Sequence, residues 1–351
     1  MKNEQGGRSA PAIWAITDGR AGNRSQATAL AETVARMTGG EAVEKTIALK
    51  PPLALLPARL WALGGASEGG WPFAGLADGG EALARPWPDL AIGAGRRSAP
   101  FVAALRRLGG AKAVQILDPG MRRDAFDLIA TPRHDGAAGP NVVETLGALN
   151  ALEPGRVAAE AERWRVRLGH VPTPRVAVLV GGPSRSAAFG AQGLSDLCDG
   201  LARLAVDGAG LMVTPSRRTP KAAVDRLADT LSGVGGWVWS GVGDNPYPGI
   251  LGLADAVIVT ADSVNMASEA AATGKPVLIA RLGRLDGKIE RFQAALEEYG
   301  ASRPFAGALE RWTYPPLRET ERLAGRIAGL LGRDGASPWT ADGEGIDSGR
   351  A

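Results

Sequence analysis

The chain has 351 residues, and 45% of them are hydrophobic, which is enough to build the cores of two α/β domains. Its net charge of +3 is too small to indicate a nucleic-acid-binding protein. A single cysteine and two histidines exclude an intrachain disulfide and a metal site built from cysteine and histidine. The sequence has no secretory apolar segment and no long uncharged apolar run, so we expect a cytoplasmic protein without membrane spans.

Strands and helices alternate along the first half of the chain, which is the pattern of a parallel sheet covered on both faces. An apolar strand over residues 13–17 precedes a polar loop and a helix over residues 24–37. The other predicted elements of this half are strands over 46–49, 90–92, 113–117 and 126–130, and helices over 101–108 and 153–168.

Two closely spaced prolines, Pro172 and Pro174, interrupt this pattern and predict an extended linker. We therefore expect an N-terminal domain over residues 1–169 and a C-terminal domain over residues 170–333. The polar, glycine-rich tail over 334–351 is expected to be disordered. The second half repeats the alternation, with strands over 176–180, 211–214, 237–240, 256–260 and 277–280 and a last helix over 317–331.

Four strands of the second half each end in a polar or glycine-rich loop. The carboxyl ends of parallel strands meet at one edge of a sheet, where α/β proteins bind ligands. Glycines there would let the backbone approach a ligand, and hydroxyl and guanidinium groups suit a diphosphate. The predicted nucleotide-binding residues are Gly181, Gly182, Ser184, Arg185, Ser216, Arg217, Arg218, Asn245, Ser263, Asn265 and Glu269.

The last of these loops leads into an alanine-rich helix. The N-terminus of that helix would present free N–H groups and a positive dipole end to a phosphate. Asn265, Ser268 and Glu269 share one face of it, and Glu269 could accept hydrogen bonds from ribose hydroxyls. A capped helix with a solvated polar face explains the same three residues equally well.

The first half carries a second glycine-rich loop, in which Gly93, Gly95 and Ser98 nearly match the dinucleotide fingerprint. Asp118 follows at the distance of a ribose-binding acid. Ser98 replaces the third glycine, however, and the unit is not the first of its domain. Both departures disfavour a nicotinamide site.

Two loops of the first half hold candidates for a general base. Asp18 follows the first strand, together with Arg20 and Asn23. His134 follows a later strand, and its neighbour Asp135 could hold or polarise the imidazole ring. An exposed loop histidine without a chemical role is an equally good explanation of His134. The sequence has no Asp-x-Asp pair, so it does not indicate a metal-bridged sugar-nucleotide site.

Eight segments carry a resemblance to a known family: TDGRAGNRSQ (17–26), GAGRRSAP (93–100), QILDPG (115–120), ATPRHDG (130–136), VGGPSRS (180–186), TPSRRTP (214–220), DNPYPGILGLAD (244–255) and TADSVNMASEAAATGKPV (260–277). Together they resemble the ELM1-like family of predicted glycosyltransferases over nearly the whole chain. Bacterial members have also been labelled nucleoside-diphosphate-sugar epimerases, and the family takes its name from a plant mitochondrial fission factor.

The resemblance implies an α/β fold with two Rossmann-like domains facing a cleft, as in GT-B glycosyltransferases. The last segment is similar to the donor half of enzymes such as the lipid II-forming GlcNAc transferase. That likeness implies that Gly181, Gly182 and Ser184 face the diphosphate and that Glu269 faces the ribose. Those enzymes often carry a histidine base after the first strand, where this chain has Asn23. The base would then be His134, Asp18 or Asp135.

The expected function is metal-independent, cofactor-free transfer of a sugar from a nucleoside-diphosphate sugar such as a UDP-sugar to an unidentified acceptor. The acceptor, lipid-linked or a glycan, would bind to the first domain near Arg20, Asn23, Arg96 and Ser98. Peripheral contact with the inner face of a membrane fits a lipid-linked acceptor. The alternatives are a nucleoside-diphosphate-sugar epimerase and a non-enzymatic fission or scaffold adaptor, which needs no nucleotide.

Overall fold

The computed structural model describes residues 10–61 and 64–332. The tail predicted to be disordered, 334–351, lies outside the described residues. The chain forms two compact units. Of the described residues, the first unit comprises 10–61, 64–131, 137–144 and 319–332, and the second comprises 132–136 and 145–318.

The first unit contains a six-stranded sheet in the order β2-β1-β3-β4-β5-β6. The pairs of β1 with β2 and β3, of β3 with β4 and of β4 with β5 are all parallel. The strands are β1 (Ala12–Thr17), β2 (Glu41–Thr46), β3 (Leu90–Ala94), β4 (Lys112–Ile116), β5 (Leu128–Pro132) and β6 (Val142–Thr145).

Helices α1 (Ala21–Thr38) and α3 (Ala99–Gly109) follow β1 and β3, and α2 (Ala58–Trp61) is a single turn in the long β2–β3 connection. Both long helices end where a glycine adopts a positive φ, Gly39 at 65° and Gly110 at 71°. The last helix, α10 (Glu319–Leu330), packs on α1. It therefore belongs to the first unit, although the sequence places it in the C-terminal half.

The second unit contains a six-stranded sheet in the order β12-β11-β10-β7-β8-β9, and all its pairs are parallel. Its strands are β7 (Arg175–Val180), β8 (Gly210–Pro215), β9 (Trp237–Val238), β10 (Ala256–Thr260), β11 (Val277–Ala280) and β12 (Ser302–Pro304). Its helices are α4 (Pro154–Leu168), α5 (Ala191–Val206), α6 (Lys221–Leu231), α7 (Tyr247–Leu253), α8 (Val264–Ala272) and α9 (Gly287–Glu298).

Helix α4 precedes the Pro172–Pro174 segment but packs on α7, so it belongs to the second unit. Its Trp164 and Leu168 join the core that covers one face of the second sheet. The division into units therefore differs from the predicted boundary after residue 169 because core packing, rather than the linker composition, decides where α4 belongs.

The apolar strands of both sheets were predicted, whereas edge strands were predicted poorly. Strand β2 covers Glu41–Thr46 instead of 46–49, because this half-exposed strand has no apolar run. Strands β6 and β12 were not predicted, and β9 has only two residues. The predicted α/β fold with two Rossmann-like domains is confirmed.

Candidate functional site

In the second sheet, the order in which the chain adds strands reverses between β7 and β10. From β7 the chain passes to β8 on one side, and it later returns to β10 on the other side. In open parallel sheets, ligands bind outside the carboxyl ends of the strands at such a switch point. The loop 181–186 after β7 and the turn 261–263 between β10 and α8 lie there, as the sequence predicts.

The carboxylate of Asp262 holds this switch point together. Its side chain is only 5% exposed. One oxygen accepts hydrogen bonds from the Gly182 amide at 2.8 Å and from Nη2 of Arg218 at 3.1 Å. The other oxygen accepts the Thr260 hydroxyl proton at 2.7 Å, and the Thr260 oxygen in turn accepts the Gly181 amide at 2.7 Å.

The two glycines after β7 are required by this network. A Cβ atom on Gly181 would lie 2.1 Å from an Asp262 carboxylate oxygen, and one on Gly182 would lie 2.3 Å from the carbonyl oxygen of Arg218. The sequence analysis explained these glycines by the approach of a ligand. In the structure they make room for the aspartate and for the loop after β8, and their amide groups already have partners.

The loop after β8 joins the same network. Arg218 donates through Nη1 to the carbonyl oxygen of Gly182 at 2.6 Å. The Thr219 hydroxyl donates to the carbonyl oxygen of Val180 at 2.9 Å and accepts the Ser216 amide at 2.8 Å. Three strand-end loops are therefore fixed to one another.

The residues predicted to bind a nucleotide include three arginines and a serine, and these differ in whether their side chains are already paired. All three arginines and Ser184 are exposed, but Arg218 is paired with Asp262, whereas Arg185 and Arg217 have no carboxylate partner in the part of the chain that the structure describes. The guanidinium groups of Arg185 and Arg217 are thus the ones available to an anion. Sequence reasoning missed Asp262 and Thr219, although both lie inside segments that it singled out.

Helix α8 begins with Ser263, whose hydroxyl oxygen accepts the Met266 amide at 3.4 Å. The amides of Val264 and Asn265 lie in the first turn, where a helix supplies no carbonyl partner. Ser268 is fully buried and accepts the Ala148 amide at 2.9 Å. Asn265 is exposed. On the helix face that Asn265, Ser268 and Glu269 were predicted to share, Ser268 is therefore a packing residue and Asn265 is exposed.

Glu269 forms a pair with Tyr247, whose hydroxyl donates to the carboxylate. Asn245 positions the tyrosine by accepting its amide proton at 3.1 Å. Burial raises the pKa of Glu269 to about 7, although the tyrosine hydrogen bond opposes this shift. Burial and the neighbouring carboxylate raise the pKa of Tyr247 as well. Glu269 is thus a half-buried acceptor that changes charge near neutral pH, and the solvated-face explanation does not apply to it.

His134 and Asp135 lie in a single turn, Arg133–Asp135, that packs on α9 within the second unit. Asp135 accepts a hydrogen bond from Nζ of Lys288 at 2.8 Å, so its carboxylate is committed to the lysine. The imidazole of His134 lies edge-on to Phe292, with 6.0 Å between the ring centres. Its Nδ1 is buried and has no hydrogen-bond partner in the part of the chain that the structure describes. Burial lowers the pKa of His134, which favours a neutral ring.

The loops of the first unit bring Asp18, Arg20 and Asn23 together. The Asp18 carboxylate is 5% exposed and lies 3.4 Å from Nε of Arg20 and 3.8 Å from Nη1 of Arg97. Asn23 donates to it at 3.4 Å. This carboxylate is held by two cations, and Arg97 is a partner that the sequence analysis did not foresee.

Ser98 and Arg96, the other two acceptor-side candidates, are already engaged. Ser98 is fully buried and donates to the carbonyl oxygen of Gly95 at 3.0 Å, so it fixes the turn after β3. Arg96 lies 3.1 Å from Asp118. The acid that a dinucleotide fingerprint would assign to a ribose is therefore paired with arginine.

Residues 21–331 match the family model described as mitochondrial fission ELM1. The chain belongs to the mitochondrial fission ELM1 family. It is 32% identical to the mitochondrial fission protein ELM1 of Arabidopsis thaliana over 280 residues, which cover 71% of this chain and 65% of the plant protein. The match thus spans slightly less than two thirds of that relative's length.

Solved structures of low sequence identity share the fold of this ELM1-family chain. One, from Listeria monocytogenes, is assigned as a UDP-N-acetylglucosamine 2-epimerase and aligns with a TM-score of 0.53 at 12% identity, over 92% of this chain and 97% of that one. Another is a UDP-GlcNAc 2-epimerase from Methanocaldococcus jannaschii in complex with UDP-GlcNAc and UDP, with a TM-score of 0.52, 12% identity and coverage of 92% and 99%. The GT-B-like fold class is confirmed.

Within residues 10–61 and 64–332, no group of three or more histidine, cysteine, aspartate or glutamate side chains could hold a metal ion. The helices of the same ranges include none with the length and apolar character needed to cross a bilayer.

We expect Asp262→Ala to lower the free energy of unfolding by about 2–4 kcal/mol, because it leaves the Gly182 amide and the Arg218 guanidinium without their acceptor. Urea denaturation followed by tryptophan fluorescence would measure the change. The matched control is Asp225→Ala, which removes an exposed partner of Lys221 on α6 and should cost less than about 1 kcal/mol. Equal losses in the two variants would contradict the role assigned to Asp262.

Proposed function

We propose that this ELM1-family protein binds a nucleoside-diphosphate sugar, such as a UDP-sugar, in its second unit and transfers the sugar to an acceptor. The observation that carries the proposal is the Glu269–Tyr247 pair. It places a half-buried carboxylate one and a half turns inside α8, the helix that begins at the β7–β10 switch point. A ribose diol needs such an acceptor, and a phosphate needs such a helix terminus.

The diphosphate would bind to the first turn of α8 and to the exposed side chains around that turn. The amides of Val264 and Asn265 lie in the first turn of the helix, and Arg185 and Arg217 supply exposed positive charge. The Asp262 carboxylate repels an anion, so the phosphates would bind beside the loop 181–186 rather than within it.

His134 is the proposed general base. Sugar transfer with inversion requires a group that takes the proton of the acceptor hydroxyl as its oxygen attacks. A lowered pKa keeps the imidazole neutral at physiological pH, with a nitrogen lone pair available. Asp18 and Asp135 are the weaker candidates, because the first is held by two arginines and the second by Lys288.

Two other functions have specific support. Epimerisation of a nucleoside-diphosphate sugar is favoured by the fold shared with two proteins named as UDP-GlcNAc 2-epimerases. It would yield an isomer of the sugar nucleotide without any acceptor, which proton NMR of the product distinguishes from transfer. A fission adaptor is suggested by the name of the plant relative. An adaptor would not need to bind a sugar nucleotide.

Glu269→Ala should weaken UDP binding by about 1.5–3 kcal/mol, because a charged acceptor of the ribose hydroxyls is lost. The affinity of the native protein should rise as the pH increases through about 7, since the ionised carboxylate is the better acceptor. Calorimetry at two pH values tests both effects. Glu297→Ala, an exposed change on α9, is the control and should leave the dissociation constant unchanged. An unaltered constant for Glu269→Ala would remove Glu269 from the site.

Activity should survive treatment with EDTA, because arginines and a helix terminus are proposed to neutralise the diphosphate in place of an ion. The measurement is UDP release from a UDP-sugar before and after chelation. If EDTA abolishes UDP release and added Mg²⁺ or Mn²⁺ restores it, a metal ion neutralises the diphosphate.

His134→Ala should lower turnover at least ~100-fold and leave UDP affinity intact. The other histidine, His170, is exposed, and His170→Ala provides the matched control. Turnover should fall only on the acid side, below the ordinary histidine pKa of about 6.5, since burial lowers the pKa of His134. If Asp18→Asn abolishes turnover and His134→Ala does not, the base is Asp18.

A further inference from the structure

Three exposed leucines lie within six consecutive positions of the connection that follows β2. The large hydrophobic side chains exposed among the described residues number eight, and Leu55, Leu56 and Leu60 are the members of this set that are close in sequence. Leu55 is 84% exposed. A single exposed leucine is ordinary, whereas a contiguous exposed apolar surface marks an interaction site.

The backbone that carries these leucines is anchored to the first unit. In the turn α2, Ala58 and Trp61 point into the core, and the Trp61 ring stacks on Trp71 with 4.5 Å between the centres. Lys50 is fixed through its amide to the carbonyl oxygen of Gly75 at 3.0 Å. The leucines are therefore held on the outside of an anchored segment.

Positive charge surrounds the leucines. Residues 47–67 contain Lys50 and Arg59 but no aspartate or glutamate. A cavity of about 570 Å³ is lined by Leu56 and Arg59 and also by Arg96 and Arg97. Two of the arginines have an acid beside them, since Arg96 pairs with Asp118 and Arg97 lies 3.8 Å from the nearly buried Asp18. Nζ of Lys50 donates to the carbonyl oxygen of Ala74 at 2.8 Å, a neutral partner that leaves the charge of the lysine uncompensated. We name Leu55, Leu56 and Leu60 with Lys50 and Arg59 the leucine patch.

We propose that the leucine patch docks on the surface of an anionic lipid bilayer. Aliphatic side chains enter the boundary between headgroups and acyl chains, while neighbouring lysine and arginine side chains meet lipid phosphates. A protein-binding surface would instead be expected to expose aromatic side chains at its centre. Here the aromatic residue of the segment, Trp61, is buried. This inference does not depend on the proposed sugar transfer.

Sedimentation with vesicles tests the proposal, using the full chain. Vesicles made of phosphatidylcholine and phosphatidylglycerol in equal parts should bind the protein, and vesicles of phosphatidylcholine alone should bind it much less. Leu55→Ser combined with Leu60→Ser should lower binding at least about tenfold. Arg59→Gln should lower it about fivefold, the effect of one cation near an anionic surface. The matched control combines Val166→Ser and Val206→Ser, which change valines that are 90% and 79% exposed in the second unit.

The outcomes separate the possible occupants of the patch. Loss of vesicle binding in the leucine variant but not in the valine variant supports the proposal. The proposal is overturned if the native protein does not bind anionic vesicles, or if both variants lose binding equally. It is also overturned if light scattering shows that the leucine variant loses only self-association, because the patch would then join two copies of the chain. Thermal unfolding of each variant checks that the fold is intact.

Discussion

The arrangement of the candidate site depends on one buried carboxylate. Asp262 lies in the turn between β10 and α8, and it binds the amide of the loop after β7 and the arginine of the loop after β8. A carboxylate that is 5% exposed is stable only when its oxygens have partners, and this one has three. The start of α8, and with it the position of Glu269, follows from this constraint.

The same carboxylate restricts what the switch point can bind. The amides of Gly181 and Gly182 are the groups that a phosphate would use in an empty glycine-rich loop, and both already donate within the protein. An anion must therefore rely on the first turn of α8 and on exposed arginines. This differs from a loop in which glycines alone cradle the phosphate, and it explains why a glycine pair by itself is weak evidence of a phosphate site.

The sequence predicted where the site lies but not how its residues are connected. The apolar strands β7 and β10 and the glycine pair 181–182 are patterns of neighbouring residues, so they could be predicted from the sequence. The partnership of Gly182 with Asp262 joins residues 80 positions apart, and that of Tyr247 with Glu269 joins different helices. Ser98 was predicted to lie near the acceptor, and Ser268 was predicted to share a polar face with Glu269, but both are fully buried. Burial is a property of the folded chain and could not be predicted from their local sequence. Likewise, α4 could not be assigned to its unit without knowledge of its contact with α7.

The most direct test of the central claim is hydrogen–deuterium exchange of the native protein with and without UDP, read by mass spectrometry. The account predicts slower exchange in peptides that cover residues 181–186, 216–219 and 263–269, and unchanged exchange in the strands of the first unit. Protection confined to the first unit, or no protection at a UDP concentration that saturates related sugar-nucleotide enzymes, would contradict it.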